Sequence, residues 1–255
     1  MVFCFGTVCW GGYLERYVDI FVKNYITIYR RLINMGVNHV SIANPKIIYN
    51  GDVQGVNTDE AMKKLKNATG KELELICDKH KYTIKTIMYS TRNRLRKEFK
   101  KSYPKEKKVF FYFPIDDGVR PELVTELLRL AKADTPTACM FKFFVNQGTN
   151  NFTAATRPIN SYKDIHPNDW GGYCAYNILD ESNCPLYPTI AIPNVAFYAE
   201  LYQAGYKQYQ SEQICIDHLR HIDSHHFKYK DTEMSEKVRA HLLAKRVELA
   251  KGGYK

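Results

Sequence analysis

Apolar residues in this chain gather into short continuous runs, and between the runs they recur every three or four positions, the signature of strands alternating with helices. Residues 2–8 form the first run and predict a buried strand. After the loop Cys9-Trp10-Gly11-Gly12, Tyr17, Ile20, Phe21, Tyr25, Ile28 and Leu32 keep helical spacing over 14–35, and Gly36 supplies a C-cap. Residues 37–43 predict a second strand that stops at Asn44-Pro45. Strand, helix and strand in this order imply a parallel pair with a right-handed crossover. A short helix over 59–68 and a third strand over 72–77 follow, then a helix over 82–101 with Ile84, Ile87, Met88, Leu95 and Phe99 on its apolar side, ended by Pro104.

The run over 109–115 is mostly β-branched or aromatic and predicts a strand covered on both faces. It ends in Asp116-Asp117-Gly118, and Pro121 suits the first turn of a helix carrying Leu123, Val124, Leu127, Leu128 and Ala131. Residues 138–145 predict another strand. Asn, Pro, Tyr and Gly dominate 146–193, which predicts loops and short irregular strands shaping a pocket. A late strand over 214–222 and a final helix from Thr232 or Ser235 to Lys251 complete the reading.

At 255 residues the chain suits a single α/β domain with a mostly parallel central sheet flanked by helices, without internal repeats or a linker. Seven scattered cysteines with no Cys-x-x-Cys pair argue against a disulfide framework and against a zinc knuckle, and point to a reducing cytoplasm. No run approaches the about 20 apolar residues of a membrane span, and Glu15 and Arg16 interrupt any leader-like segment, so neither secretion nor membrane anchoring is expected.

Charge changes the picture more than composition does. The formal net charge is +10, and residues 79–108 hold twelve Lys or Arg against only Glu98 and Glu106; the remainder is neutral. Arg94, Lys97, Lys100 and Lys101 recur at spacings of three and four, which suits a face tracking a phosphate backbone such as that of DNA; a merely solvated helix face is the alternative.

Asp116 and Asp117 fall at the carboxyl end of a central strand, where open α/β sheets bind ligands. Two hard oxygen donors there suit Mg²⁺ or Mn²⁺ held against a diphosphate, and the alternative is an Asp-Asp-Gly turn without a metal. His218, His221, His225 and His226 form the densest histidine group, a source of a nitrogen ligand or, less favoured, a zinc site. Asn168 to Tyr173, with Trp170, Gly171 and Gly172, reads either as an acceptor loop or as a packed turn.

The order of these features resembles the GT-A fold of nucleotide-sugar-dependent glycosyltransferases over residues 2–226. Ser90-Thr91-Arg92-Asn93 is similar to the Arg-Asn pair on the helix before that family's acidic motif, Ile115-Asp116-Asp117 to a variant of its Asp-x-Asp motif, and the segment around His221 to its late histidine. The resemblance implies a nucleotide-sugar-binding half at 1–135, an acceptor half at 136–230 and a C-terminal helix at 231–255. It implies a UDP-linked donor with Mn²⁺ or Mg²⁺, Asp116, Asp117 and His221 on the cation, Arg92 on the donor, and Thr7 near the base or ribose. Glu212 and Asp217 lie nearest to where the family keeps its acidic pair and are the candidate bases beside Asp117.

Glycosyl transfer needs a cation for leaving-group charge, donors that fix the sugar, and a base near the anomeric centre. Joined to the basic stretch, this chemistry points to an acceptor in nucleic acid, a hydroxymethylated pyrimidine in viral DNA, as in the DNA-modifying sugar transferases of bacteriophages, which would place the enzyme in a host cytoplasm. A glycan, lipid or protein acceptor is the same-fold alternative. A methyltransferase does not fit, because residues 5–12 lack its tight glycine pattern, and a non-catalytic nucleic-acid binder leaves the acidic strand end without a purpose.

Overall fold

Residues 2–10 are buried throughout where their side chains are described, because helices cover both faces of the strand they form. The computed structural model describes residues 1–10, 12–37, 42–51, 54–79, 87–112, 114–146, 152–155, 176–180, 184–186, 197, 200–201 and 203–219. Strand β1 (Val2–Trp10) pairs in parallel with β2 (Lys46–Asn50) and with β4 (Lys108–Tyr112), and β2 pairs in parallel with β3 (Glu74–Cys77). Beyond β4 the sheet becomes mixed, in the order β3-β2-β1-β4-β8-β6-β9-β5, with β5 (Gly118–Val119), β6 (Thr137–Asn146), β8 (Tyr176–Asp180) and β9 (Lys207–Leu219), while β7 (Phe152–Ala155) pairs with β6. The α/β class and the helix-flanked, mostly parallel sheet are those expected.

Alternation along β1 assigns the helices to faces. Phe5 packs edge-on against Tyr25 of α1 (Tyr13–Asn34) and against Phe111, at centroid distances of 5.6 and 5.9 Å. The same apolar layer takes in α2 (Asp59–Thr69) through Ala61 and Leu65, and α4 (Leu123–Ala131) through Leu123, Val124, Leu127 and Leu130. Gly6 points the other way, where a Cβ would stand 2.7 Å from Leu95 of α3 (Ile87–Ser102), so the helix lies directly on the strand. Phe99 of α3 meets Phe110 of β4 on that face. Among the described residues no helix is long and apolar enough to cross a membrane.

The second strand departs from expectation. It runs over Lys46–Asn50, after Pro45, whereas Ile42 contributes a single bridge to Phe3 and 38–41 lie outside the described residues. Proline lacks a donor but can precede a strand, and Ile47 and Ile48 fill the interior. The central strand β4 stops at Tyr112, short of the expected 115, since Pro114 has no N–H for a ladder. The late strand starts earlier, at Lys207, and is irregular: between Met140 and Lys142 three β9 residues, 211–213, stand against one of β6, and a further β9 residue is inserted between Lys142 and Phe143. The expected final helix lies outside the described residues.

Candidate functional site

The carboxyl ends of the parallel strands form a stepped edge. Pairing of β1 with β4 ends at Gly6 and Tyr112, so Thr7 is the first residue of β1 beyond its neighbour. Thr7 is fully buried, and its hydroxyl oxygen makes no hydrogen bond among the described residues. A buried hydroxyl costs free energy when it is left unmet, so Thr7 marks a place where a polar partner belongs. Further along, Asn50 at the end of β2 donates through Nδ2 to the carbonyl of Asp78 at 2.9 Å, and the Asp78 N–H donates to the carbonyl of Tyr49 at 2.7 Å. The Asp78 carboxylate is wholly buried and meets Nη1 of Arg94 at 2.8 Å.

The acidic pair occupies the turn after β4. Asp116 is half-buried, whereas Asp117 is wholly buried, so of the two carboxylates only Asp116 retains surface toward solvent. The turn is gripped by Asn24, a buried residue of α1, whose Nδ2 donates to the Asp117 carbonyl at 2.6 Å. Its Oδ1 accepts from the Val119 N–H at 3.1 Å. From the turn the chain enters β5, where Gly118 and Val119 pair antiparallel with Asp217 and Ile216. Arg120 closes the junction, placing Nε and Nη2 at 2.9 and 2.7 Å from Asp217 Oδ1, and its own N–H donates to the Cys215 carbonyl at 2.9 Å.

Helix α3 turns much of its charge inward. Arg92 is fully buried, with its guanidinium carbon 4.1 Å from the centroid of the Tyr112 ring, a cation–π contact at the end of β4. Arg96 is buried and donates from Nη1 to the Pro185 carbonyl at 2.7 Å, tying α3 to the segment 184–186. Lys97 is exposed, Lys100 is half-buried, and Lys101 bonds Glu98 at 2.9 Å. Of the four residues expected on a nucleic-acid face, Arg94 is held by Asp78 while the three lysines lie in the last turns of the helix.

A second polar cluster lies between α4 and the sheet. Glu126 is buried, with Cys139 Sγ at 4.0 Å, and Arg129 stacks over the Tyr209 ring at 4.3 Å. Burial pushes the Cys139 thiol and the Tyr209 phenol well up, and pushes the Cys215 thiol from 9.0 up to about 12. These groups stay protonated at neutral pH and pack rather than react.

The structure thus brings Asp116, Asp117, Asp217 and Arg120 to one turn and its partner strand, with Thr7 on the same carboxyl edge. Glu212 lies in the irregular stretch of β9, its side chain outside the described residues, as are His221 and Asn168 to Tyr173. Among the described residues no group of three or more His, Cys, Asp or Glu comes together. Asn24 and Asp78 were not read from the sequence. Asn24 carries the one available signal, an amide at a helical position otherwise filled by core residues.

No family model and no curated protein matches the chain. Solved structures do. Residues 1–349 of TarS from S. aureus in complex with UDP-GlcNAc superpose with a TM-score of 0.63 at 12% identity, covering 97% of this chain and 66% of that one. The complex of the same segment with UDP gives 0.58 at 10% identity, covering 95% and 71%. TarS is a GT-A-type glycosyltransferase. The fold is GT-A. At these identities the likeness concerns the fold, and the chain spans 60% of TarS 1–349 in a further structure and 37% of a longer TarS chain.

Proposed function

We propose that this GT-A chain transfers a sugar from a UDP-linked donor to an acceptor hydroxyl. The observation that carries the reading is the carboxyl edge itself, where the Thr7 hydroxyl, buried and without a hydrogen bond among the described residues, shares an edge with a carboxylate turn clamped in place at Asp116 and Asp117. The neighbours' complexes with UDP-GlcNAc and UDP support the choice of nucleotide.

The donor set fits a divalent cation of a particular kind. One half-buried carboxylate, Asp116, offers hard oxygen, and no cluster of three ligands accompanies it among the described residues. Mg²⁺ and Mn²⁺ sites of that type complete their shell with substrate phosphate oxygens and water. Asp116 is therefore assigned to the cation, His221 to an added nitrogen ligand, and Asp117 to the buried support beneath them. The cation, when bound, takes up charge on the departing diphosphate. Thr7 hydrogen-bonds the nucleoside, and Glu212 is the preferred base because one oxygen of Asp217 is already engaged by Arg120.

Calorimetric titration of UDP and UDP-GlcNAc, with and without Mn²⁺, tests the reading. Binding that Mn²⁺ strengthens, together with slow release of UDP from UDP-GlcNAc, is expected. No binding of either compound at millimolar concentration in either condition sinks it.

The finer proposal for the acceptor, a hydroxymethylated pyrimidine in DNA, is supported by the net charge confined to residues 79–108. Burial of Arg92, Arg96 and Lys108 removes three of those twelve cations from the surface and Asp78 holds Arg94, so within the expected face on α3 Lys97, Lys100 and Lys101 are the ones to test. Replacing all three with Gln is expected to lower the log–log salt slope of DNA binding by up to about three units. Absence of salt-dependent DNA binding by the native protein, with transfer to a glycan instead, refutes this acceptor and leaves the donor chemistry standing.

A further inference from the structure

We propose that Asn24 is a positioning residue: its amide fixes the acidic turn so that Asp116 is presented to the donor's cation in one orientation. This rests on the glycosyltransferase reading above. Asn24 stands on the buried side of α1 together with Leu14, Phe21, Tyr25 and Ile28, a setting in which a polar side chain is unfavourable unless its hydrogen bonds are met. Both are met, and by a single stretch of backbone. The amide donates to the Asp117 carbonyl at 2.6 Å and accepts from the Val119 N–H at 3.1 Å. A carbonyl only accepts and an N–H only donates, so these partners settle which end of the amide is which.

The two clasped groups flank Gly118, the one residue of the turn without a side chain to restrict it. With 117 and 119 held by one planar group, rotation about the intervening backbone is blocked. Asp116 lies one residue before the clasped carbonyl, so its carboxylate inherits that rigidity. A ligand to a cation gains from such support, because a displacement of a fraction of an ångström already weakens coordination. Nothing about filling the core requires an amide here; leucine has similar bulk and would suit the neighbours better.

The test uses the full chain carrying Asn24→Asp, which keeps the acceptor for Val119 and loses the donor for Asp117. Asn24→Gln, with both groups one methylene further out, is the second variant, and Ile28→Val on the same helix controls for simple loss of stability. UDP affinity is measured calorimetrically with and without Mn²⁺, and exchange of the Val119 amide is followed in the same proteins. In the folded Asn24 variants the strengthening of UDP binding by Mn²⁺ is expected to fall about 10- to 100-fold, with affinity in the absence of Mn²⁺ kept within about threefold. The Val119 amide is expected to exchange faster in Asn24→Gln, and Ile28→Val is expected to behave as wild type in both readouts. Retention of the Mn²⁺ effect in both Asn24 variants, or its equal loss in Ile28→Val, overturns the positioning role. Wild-type protein that binds no UDP in either condition overturns instead the glycosyltransferase reading on which that role rests.

Discussion

Asp116→Asn and Asp117→Asn make the same chemical change at adjacent positions, and they are expected to fail in different ways. Asp117 is wholly buried, so the change encloses an amide NH2 donor where a carboxylate oxygen stands. Mispairing a buried polar group costs about 1–3 kcal/mol. For a chain of this size each kcal/mol moves the melting temperature by about 2–4 °C, so a fall of roughly 2–12 °C is expected. Asp116 is half-buried, and substitutions at such positions usually stay within about 0.5 kcal/mol, or about 2 °C. Function should sort the other way. Losing one preorganised electrostatic contact to charge developing in the reaction costs about 10²–10³ in turnover, and Asp116→Asn is expected to show it. Folded Asp117→Asn should keep turnover within about tenfold of wild type. Thermal unfolding followed by circular dichroism, alongside a coupled assay for UDP release, reads both quantities. Asp117→Asn melting with wild type while losing all turnover, and Asp116→Asn remaining active, would refute the division of roles.

Arg92→Lys loses the planar stack on Tyr112 and is expected to lower stability by about 1–2 kcal/mol in urea unfolding, with UDP affinity of the folded protein kept within about threefold. A tenfold loss of affinity at unchanged stability would instead assign Arg92 to the donor. Asp217→Asn breaks a partly exposed pair with Arg120 and should cost no more than about 1 kcal/mol, with turnover reduced less than about tenfold; a loss near 10³ or more would make Asp217 the base. The Cys215 thiol is held at about 12 against an ordinary 9.0, so the folded state keeps its proton while the unfolded chain gives it up. Its stabilising share is present below pH 9 and is lost as the pH rises toward 12, and Cys215→Ala should flatten the alkaline limb of a stability–pH curve.

Helices and parallel strands were legible wherever periodicity was unbroken. The residues forming α1 and α2 announced themselves within one position, and α4 ends three residues before the expected Asp134, because each buries a single apolar stripe but the stripe marks its ends only loosely. The strand at Lys46–Asn50 was not read, because two apolar stretches flank Asn44-Pro45 and only pairing with Gly6–Trp10 shows that the later one joins the ladder, while 38–41 of the earlier one lie outside the described residues. The central place of β8 was hidden as well: Tyr176–Asp180 sits between β4 and β6, yet it lies within a stretch whose composition reads as loop. The basic helix misled in another way. Charge counted along a sequence carries no direction, and the interior keeps Arg92 against an aromatic face and Arg96 against a carbonyl. At the site, the acids were found from their position after a buried strand, whereas Asn24 contributes through two backbone bonds across more than ninety residues of sequence.

Those long-range bonds explain how a two-residue strand can matter. Gly118 and Val119 are too short to hold a register by themselves, since strands of this kind depend on neighbours for stability. Asn24 fixes one side of the turn to α1. On the other side, the pairing with Ile216 and Asp217 and the Arg120 contacts fix it to β9. The acidic turn therefore takes its position from α1 and β9 at once. A substitution that moves β9 is expected to shift the turn through the β5 pairing and the Arg120 guanidinium. In the proposed reaction Asp116, on the turn that leads into this short strand, holds the cation, so a substitution that displaces β9 is expected to weaken cation binding as well.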